Sequence, residues 1–256
     1  MKIGAVPKGI LSLFGLKLIW KADSIRRFPV EISEADKLAF QYVRTNQLST
    51  STDERLFATI MACRYVVEQR IEGDFVECGV WRGGNSVLAA SVFKSMNAGR
   101  AAWLFDTFTG MTAPTKDDVN FRGEIADSKF RASQREGYND WCYAPLDEVT
   151  ANFEKAGLVS NQVRFVKGDV AQTLADSNNL PKTIAVLRLD TDWYESTKAE
   201  LEVLYPRLAN GGILIVDDYG HWGGARKAVD EYFDRGRRPF FQYIDQTGRI
   251  AVKTHS

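Results

Sequence analysis

The sequence is poor in histidine and cysteine, which limits the metal sites that it can build. Two histidines occur in 256 residues, and one of them, His255, is next to last. A histidine-rich zinc site is therefore excluded, and a metal site would need oxygen ligands. The three cysteines, Cys63, Cys78 and Cys142, have no CxxC spacing. A sparse, odd count of this kind predicts reduced thiols and a cytoplasmic protein.

An excess of charge of one sign and a long apolar run are also absent. Thirty-three basic residues balance thirty-three acidic ones, so we expect no nucleic acid as a partner. Residues 1–21 are apolar, but Pro7, Lys8 and Lys17 interrupt them. The run is too short to span a bilayer, and no signal-peptide cleavage site follows. We expect residues 1–50 to form a helical extension that acts as a lid or as a contact in a homo-oligomer.

From residue 51 onward, strand-like and helix-like patterns alternate. Nearly unbroken apolar runs predict parallel strands at 75–80, 101–106, 163–167, 183–189 and 212–216, with helices at 85–94, 145–156 and 196–208. Capping boxes at Ser33 and Ser51 predict two earlier helix starts. The residues around Gly248 predict an antiparallel hairpin at the C-terminus. The expected fold is therefore a doubly wound, mostly parallel α/β sheet of seven strands in one domain, residues 51–256.

Residues 108–144 interrupt this alternation. The segment has no clear periodicity and is long for a connection inside a compact domain. It contains six aromatic residues among charged ones: Phe108, Phe121, Phe130, Tyr138, Trp141 and Tyr143. We predict a lid-like insertion that stacks on a sugar or aromatic acceptor. The alternative is an ordinary loop whose aromatic residues join the core.

A glycine-rich turn follows the first predicted strand, in the stretch DFVECGVWRGGNSV. Gly79, Gly83 and Gly84 would let the backbone approach a ligand at the start of a helix. The spacing is not the G-x-G-x-x-G of dinucleotide-binding folds, and no Lys-Ser/Thr follows as in a phosphate-binding loop. The absence of the G-x-G-x-x-G pattern counts against a nicotinamide-dependent dehydrogenase.

Each predicted parallel strand carries an acid at or near its C-terminal end. These acids are Glu77, Asp106, Asp169, Asp190 and the pair Asp217–Asp218. Open α/β sheets bind ligands at those ends, and clustered carboxylates are unfavourable without a positive group. Asp106 is placed to accept hydrogen bonds from a ribose, and Asp169 could hold an adenine amino group. Asp190, Asp217 and Asp218 should converge from two neighbouring strands, and they suit Mg²⁺ or Ca²⁺.

Five motifs carry a resemblance to a known family: ECGVWRGG, FDTFTGM, GDV, LRLDTDWYEST and GGILIVDDYG. In this order they resemble the TylF/MycF-type O-methyltransferases of macrolide and aminocoumarin sugar biosynthesis, over about residues 49–233. The resemblance implies a Rossmann-like class I methyltransferase fold that uses S-adenosyl-L-methionine and Mg²⁺. Trp193 stands where the family pattern LDGDLYEST has Leu, and Ser49-Thr50 where the family often has Thr-Met.

The resemblance also implies site residues. The cofactor residues would be Ser49, Thr50, Glu77, Gly79, Val80, Trp81, Arg82, Gly83, Asp106, Asp169, Val170 and Asp190. Among them, Glu77 would lie near the ammonium of the methionine portion. The metal ligands would be Asp190, Asp217 and Asp218.

The implied reaction is methyl transfer to a sugar hydroxyl in a glycosylated metabolite or a saccharide. Such a hydroxyl is a weak acid, so a divalent ion should lower its pKa and a base must take its proton. Asp190 is our first choice for the base and His221 our second. The alternatives are metal-dependent methylation of a catechol, or a non-catalytic nucleoside-binding module whose aspartates are helix caps.

Overall fold

The computed structural model describes residues 28–158, 161–234 and 236–254. The chain divides into two units, Met1–Val30 and Glu31–Ser256. The apolar segment at residues 1–21 and His255 lie outside the described residues. Residues 31–50, which we assigned to an extension, fall in the larger unit, where α1 (Glu34–Thr45) packs on α3 (Gly84–Ser95). Within the described ranges, no helix has the length and apolar character needed to cross a membrane.

The described part contains nine strands and eight α-helices. The strands are β1 (Asp74–Cys78), β2 (Ala102–Asp106), β3 (Gln134–Arg135), β4 (Tyr138–Asn139), β5 (Val163–Lys167), β6 (Ile184–Leu189), β7 (Leu208–Val216), β8 (Gln242–Tyr243) and β9 (Arg249–Val252). The other helices are α2 (Asp53–Glu68), α4 (Asp127–Ala132), α5 (Leu146–Lys155), α6 (Val170–Thr173), α7 (Tyr194–Leu204) and α8 (Gly223–Asp234).

Seven strands form one sheet in the order β5-β2-β1-β6-β7-β9-β8. The first five in this order are parallel, and β8 and β9 form the antiparallel C-terminal hairpin. The predicted doubly wound, mostly parallel sheet is confirmed. β6 and β7 are neighbours, as their single helical crossover requires. The carboxyl ends of β1, β2, β5, β6 and β7 therefore meet at one edge.

Local signals explain where several elements begin and end. The capping box at Ser33 is confirmed, since its hydroxyl accepts from the N–H of Asp36 and its own N–H donates to that carboxylate. The cap of α2 is Thr52, one residue later than expected. The helix expected at 196–208 ends at Leu204, because Pro206 has no N–H to continue the hydrogen-bonding pattern. β7 then begins at Leu208 rather than at 212.

The insertion at residues 108–144 contains α4 and the small hairpin of β3 and β4. Asp118 anchors it: this buried carboxylate accepts a hydrogen bond from the N–H of Tyr194, the first residue of α7, at 2.8 Å. At Gly224 of α8, a Cβ would lie 1.9 Å from the same carboxylate. The insertion is therefore fixed at the N-terminal ends of α7 and α8.

The aromatic residues of the insertion have different surroundings. Phe108 is buried and packs edge-on against Phe165 of β5. Phe121 is 61% exposed and contacts the His221 ring. Phe108 therefore joins the core, as in the alternative interpretation of this segment, whereas Phe121 lies at the surface. Stacking of the insertion on an acceptor stays a prediction.

Candidate active site at the carboxyl edge of the sheet

A cavity of about 480 Å³ opens where the parallel strands end. This is the edge at which open α/β sheets bind ligands, and the volume is ordinary for a small-molecule site. The ends of the strands and the turns after them contribute Gly79, Asp106 and Asp190, and the insertion contributes Met111 and Trp141. The insertion thus forms part of the wall of the same cavity as the predicted acids.

The predicted cofactor residues fall into two groups. Seven line the cavity: Thr50, Gly79, Trp81, Asp106, Asp169, Val170 and Asp190. Five are not part of the lining: Ser49, Glu77, Val80, Arg82 and Gly83. Arg82, for example, pairs with Glu148 at 2.5 Å, and Gly83 faces Phe153 of α5. Asp169 caps α6 as well as lining the cavity, so the helix-cap interpretation and the ligand interpretation are compatible there.

The glycine turn brings the ends of β1 and β6 together. A Cβ at Gly79 would lie 2.0 Å from the carbonyl oxygen of Asp190, and its φ of +81° favours glycine. Asp106 holds the same turn, because its carboxylate accepts from the N–H groups of Val80 at 2.7 Å and Trp81 at 3.0 Å. It also accepts from the N–H of Phe108 at 2.7 Å. The predicted ribose contact must share Asp106 with these three donors.

Glu77 points into the protein. It accepts from Arg188 at 2.9 Å and from the Ser86 hydroxyl, and it is the register partner of Arg188 across β1 and β6. Burial raises the pKa of Glu77 to about 7, although Arg188 and Ser86 act in the opposite direction. Both oxygens are engaged away from the cavity. Glu77 is not part of the cavity lining, and its expected contact with the ammonium of the cofactor stays a prediction.

Asp190, Asp217 and Asp218 come together as their places at the ends of β6 and β7 imply. One oxygen from each lies within 4.8 Å of the others. Burial raises the pKa of Asp190 and Asp218 well above the usual range. Among the described residues, Oδ2 of Asp218 has no hydrogen-bond partner although it is buried. An oxygen-only donor set with an unsatisfied buried carboxylate fits a hard divalent cation such as Mg²⁺.

Arg188 is a site residue that our sequence analysis missed. It is fully buried on β6 and donates to Glu77, to Asp190 at 2.6 Å and to Asp217. A buried charge needs such partners, because desolvation strongly disfavours an isolated ion. The signal was present in the sequence, since Arg188 is a single charge inside the apolar run TIAVLRL.

Arg55 of α2 is a second cation that we missed. It lines the cavity and pairs with Asp217 and with Asp245, the latter at 2.9 Å. Each oxygen of Asp217 therefore faces a guanidinium, from Arg188 on one side and Arg55 on the other. The carboxylate cluster thus receives part of its positive charge from the protein itself.

Asp192 is a further acid on the cavity wall that our list lacked. Its φ of +70° is left-handed, a conformation that aspartate adopts more readily than most residues. Burial together with the neighbouring Asp190 raises the pKa of Asp192 to about 7.

Three indoles form another part of the site. Trp193 is buried and donates to the carbonyl of Thr112 at 3.0 Å, while its ring lies 5.5 Å from Trp141 and 4.9 Å from Trp222. Trp141 and Trp222 line the cavity. The ammonium of Lys129 lies 3.9 Å from the centre of the Trp141 ring. Such an aromatic wall can pack on the carbon face of a sugar or on an aromatic ring.

His221 also lines the cavity, with its ring against those of Trp222 and Phe121. Burial lowers the pKa of His221, and the nearby Arg55 and Lys129 lower it further. The imidazole is therefore neutral near pH 7 and able to accept a proton.

Residues 19–250 match the model of a family described as macrocin-O-methyltransferase (TylF). The chain is 39% identical over 185 residues to 8-demethyl-8-(2,3-dimethoxy-alpha-L-rhamnosyl)-tetracenomycin-C 4'-O-methyltransferase from Streptomyces olivaceus, covering 72% of this chain and 67% of that protein. It is 37% identical over 168 residues to mycinamicin III 3''-O-methyltransferase from Micromonospora griseorubida, covering 64% and 62%. The match thus spans less than two thirds of the mycinamicin enzyme.

The fold is similar to a solved structure, that of the O-methyltransferase NovP. The TM-score is 0.73 at 29% sequence identity, and the match covers 86% of this chain and 98% of that chain. The similarity extends over nearly the whole of the solved chain.

Proposed function

The chain belongs to the TylF family of macrocin O-methyltransferases, and we propose that it methylates a sugar hydroxyl with the help of a divalent cation, Mg²⁺. Enzymes of this family transfer the methyl group of S-adenosylmethionine. The observation that carries the proposal is the convergence of Asp190, Asp217 and Asp218 on the wall of one cavity, with a buried oxygen of Asp218 unsatisfied among the described residues.

The cofactor and the cation would occupy different halves of this edge. Gly79, Trp81, Asp106, Asp169 and Val170 lie at the ends of β1, β2 and β5, and we assign them to the cofactor. The three aspartates lie at the ends of β6 and β7, and we assign them to the cation. When bound, the cofactor supplies an electrophilic methyl group and the cation supplies positive charge beside the attacking oxygen.

The residues of the chain must then orient the acceptor and remove its proton. Asp190 lies where the two halves meet, and one of its oxygens accepts from Arg188 at 2.6 Å. We assign the base to Asp190, because its half-buried carboxylate lies on the cavity wall between the cofactor residues and the other two aspartates. His221, neutral and on the same wall, is the second candidate.

We assign the acceptor to the wall formed by Trp141 and Trp222. The name of one relative includes a rhamnosyl group in its substrate. A sugar of a glycosylated metabolite is therefore the acceptor class that we propose for this chain.

The test is methyl transfer measured by mass spectrometry with and without EDTA, beside calorimetry with S-adenosylhomocysteine. EDTA should abolish transfer and leave cofactor binding largely intact. Asp218→Asn is the cleanest variant, because Asp217 also pairs with Arg55 and Arg188. Excess Mg²⁺ should restore part of its activity. Asp234→Asn, on the exposed end of α8, is the matched control and should behave like the wild type.

Two results would change the assignment. Full activity in EDTA would remove the cation from the reaction. Asp190→Asn should not recover with excess Mg²⁺, since added metal cannot replace a proton acceptor. Recovery of that variant would assign the base to His221.

A further inference from the structure

Glu200 is a buried carboxyl group to which the proposed reaction gives no role. It lies on α7 with 0% exposure, and one of its oxygens accepts from the Thr191 hydroxyl at 2.8 Å. Its other oxygen is buried and has no hydrogen-bond partner among the described residues. Burying a polar group is unfavourable unless it is hydrogen-bonded, and burying a charge is more unfavourable still. The bond to Thr191 is therefore the contact that can explain why a carboxyl group is present there.

Thr191 lies between two acids of the cavity wall, Asp190 and Asp192. Its carbonyl accepts from the N–H of Trp193 at 2.8 Å and from the Ser196 hydroxyl at 3.4 Å. The side chain and the carbonyl of Thr191 are thus both tied to residues at the start of α7 or within it. The next residue, Asp192, has the left-handed φ of +70°. A non-glycine residue keeps such a conformation only when its surroundings hold it there.

We propose that Glu200 is a positioning residue: through the Thr191 hydroxyl it holds the turn of residues 190–192 so that both flanking carboxylates stay on the cavity wall. The inference rests on the proposed function, which gives those carboxylates their roles. Glu200 itself is not part of the cavity lining, so it acts through Thr191 and not on the substrate.

The protonation state of Glu200 agrees with this role. Burial raises the pKa of Glu200 to about 8, so that it is a neutral carboxylic acid near pH 7. A neutral amide of the same shape can accept the same hydrogen bond. Glu200→Gln should therefore preserve the hydrogen bond between Thr191 and Glu200, which we call the tether. Glu200→Leu removes the acceptor of this bond, and Thr191→Val removes its donor with little change in shape.

The experiment compares these variants and the double variant Thr191→Val/Glu200→Leu in three measurements. They are kcat, the KM for S-adenosylmethionine, and the Kd for Mg²⁺ titrated alone by calorimetry. Loss of the tether should lower kcat at least 10-fold and weaken Mg²⁺ binding by about 10-fold, with KM within about twofold. Glu200→Gln should stay within about threefold of the wild type. The double variant should be no worse than either single one, since both remove the same bond.

Glu202→Leu, on the exposed face of the same helix, is the matched control and should resemble the wild type. Circular dichroism establishes that each variant is folded at the assay temperature, and Thr191→Val decides the question if Glu200→Leu does not fold. Wild-type kcat and Mg²⁺ affinity in Thr191→Val would overturn the inference. It would also be overturned if the fold-losses of the two single variants multiplied in the double variant, or if Glu200→Gln lost as much kcat and Mg²⁺ affinity as Glu200→Leu. A wild type without metal-dependent methyl transfer would instead refute the proposed function, and the Mg²⁺ titration would still report on the tether.

Discussion

Replacing Arg188 with methionine should destabilise the protein much more than the loss of a surface ion pair. The guanidinium is fully buried and donates to Glu77, Asp190 and Asp217 from the centre of the sheet. Methionine fills similar space but carries no charge. The substitution therefore leaves three carboxylates without this cation, two of them buried, with Arg55 as the neighbouring cation that still pairs with Asp217.

The magnitude follows from the burial. Removing one partner of a buried ion pair costs about 3–5 kcal/mol, because the other charge remains without compensation. Each charged hydrogen bond contributes about 1.5–3 kcal/mol, but bonds that share one guanidinium are not additive. We expect a loss of about 3–5 kcal/mol at pH 7. Arg188→Lys should lose less, since it keeps the charge but cannot reach three carboxylates in the geometry of a guanidinium.

The loss of folding stability in Arg188→Met should increase with pH. Arg188 lowers the pKa of Glu77 and Asp190, opposing the effect of burial. Without it, these carboxyl groups should keep their protons to higher pH in the folded state. A raised folded pKa contributes stability at low pH that is lost as the pH rises through that value. The difference between Arg188→Met and the wild type should therefore be larger at pH 8 than at pH 5.5.

Urea denaturation followed by circular dichroism at pH 5.5, 7 and 8 measures both effects. Arg131→Met is the matched control, because Arg131 is 78% exposed and pairs with Asp127 within one turn of α4. A pair of that kind contributes about 0.3–0.5 kcal/mol. A loss below about 1 kcal/mol for Arg188→Met, or one that does not change with pH, would refute the reasoning.

Three further predictions concern single residues. Glu200 has its pKa raised from 4.5 to about 8, so the protein should lose stability as the pH rises between these values. In Glu200→Gln, the free energy of unfolding measured by urea denaturation should fall less steeply with pH, by up to about 1.4 kcal/mol per pH unit. An unchanged slope would mean that Glu200 is already ionised. Gly79→Ala should weaken S-adenosylhomocysteine binding at least 10-fold in calorimetry, since its Cβ would lie 2.0 Å from the Asp190 carbonyl oxygen. The control is Gly123→Ala, also at positive φ but with open space around it, and equal effects of the two would contradict the packing argument. Asp106→Ala should weaken cofactor binding by about 1–3 kcal/mol, and an unchanged affinity would place the ribose elsewhere.

The sequence by itself determined the type of fold and the edge at which the site lies. The strand predicted at 163–167 agrees with β5, and the acids of β6 and β7 converge because parallel neighbours end at one edge. These features depend on local periodicity and on connection rules, both of which can be read along the chain. The family resemblance added the reaction type, which periodicity does not contain.

The insertion contains structure that local sequence patterns do not predict. Residues 108–144 have no helical or strand period, yet they contain α4 and a hairpin, held by Asp118 against the N-terminus of α7. The bond joins positions 76 apart in sequence. Contacts of this range depend on how the elements dock, and no local pattern specifies them.

Only the tertiary structure decided which way the charged side chains turn and which partners they meet. Glu77 points inward because the register of β1 and β6 places it beside Arg188. Arg55 reaches Asp217 across 162 positions of sequence. The sequence places acids at strand ends, but a carboxylate can face a ligand or a buried guanidinium. That choice depends on register, burial and the nearest opposite charge, which exist only after the sheet has formed.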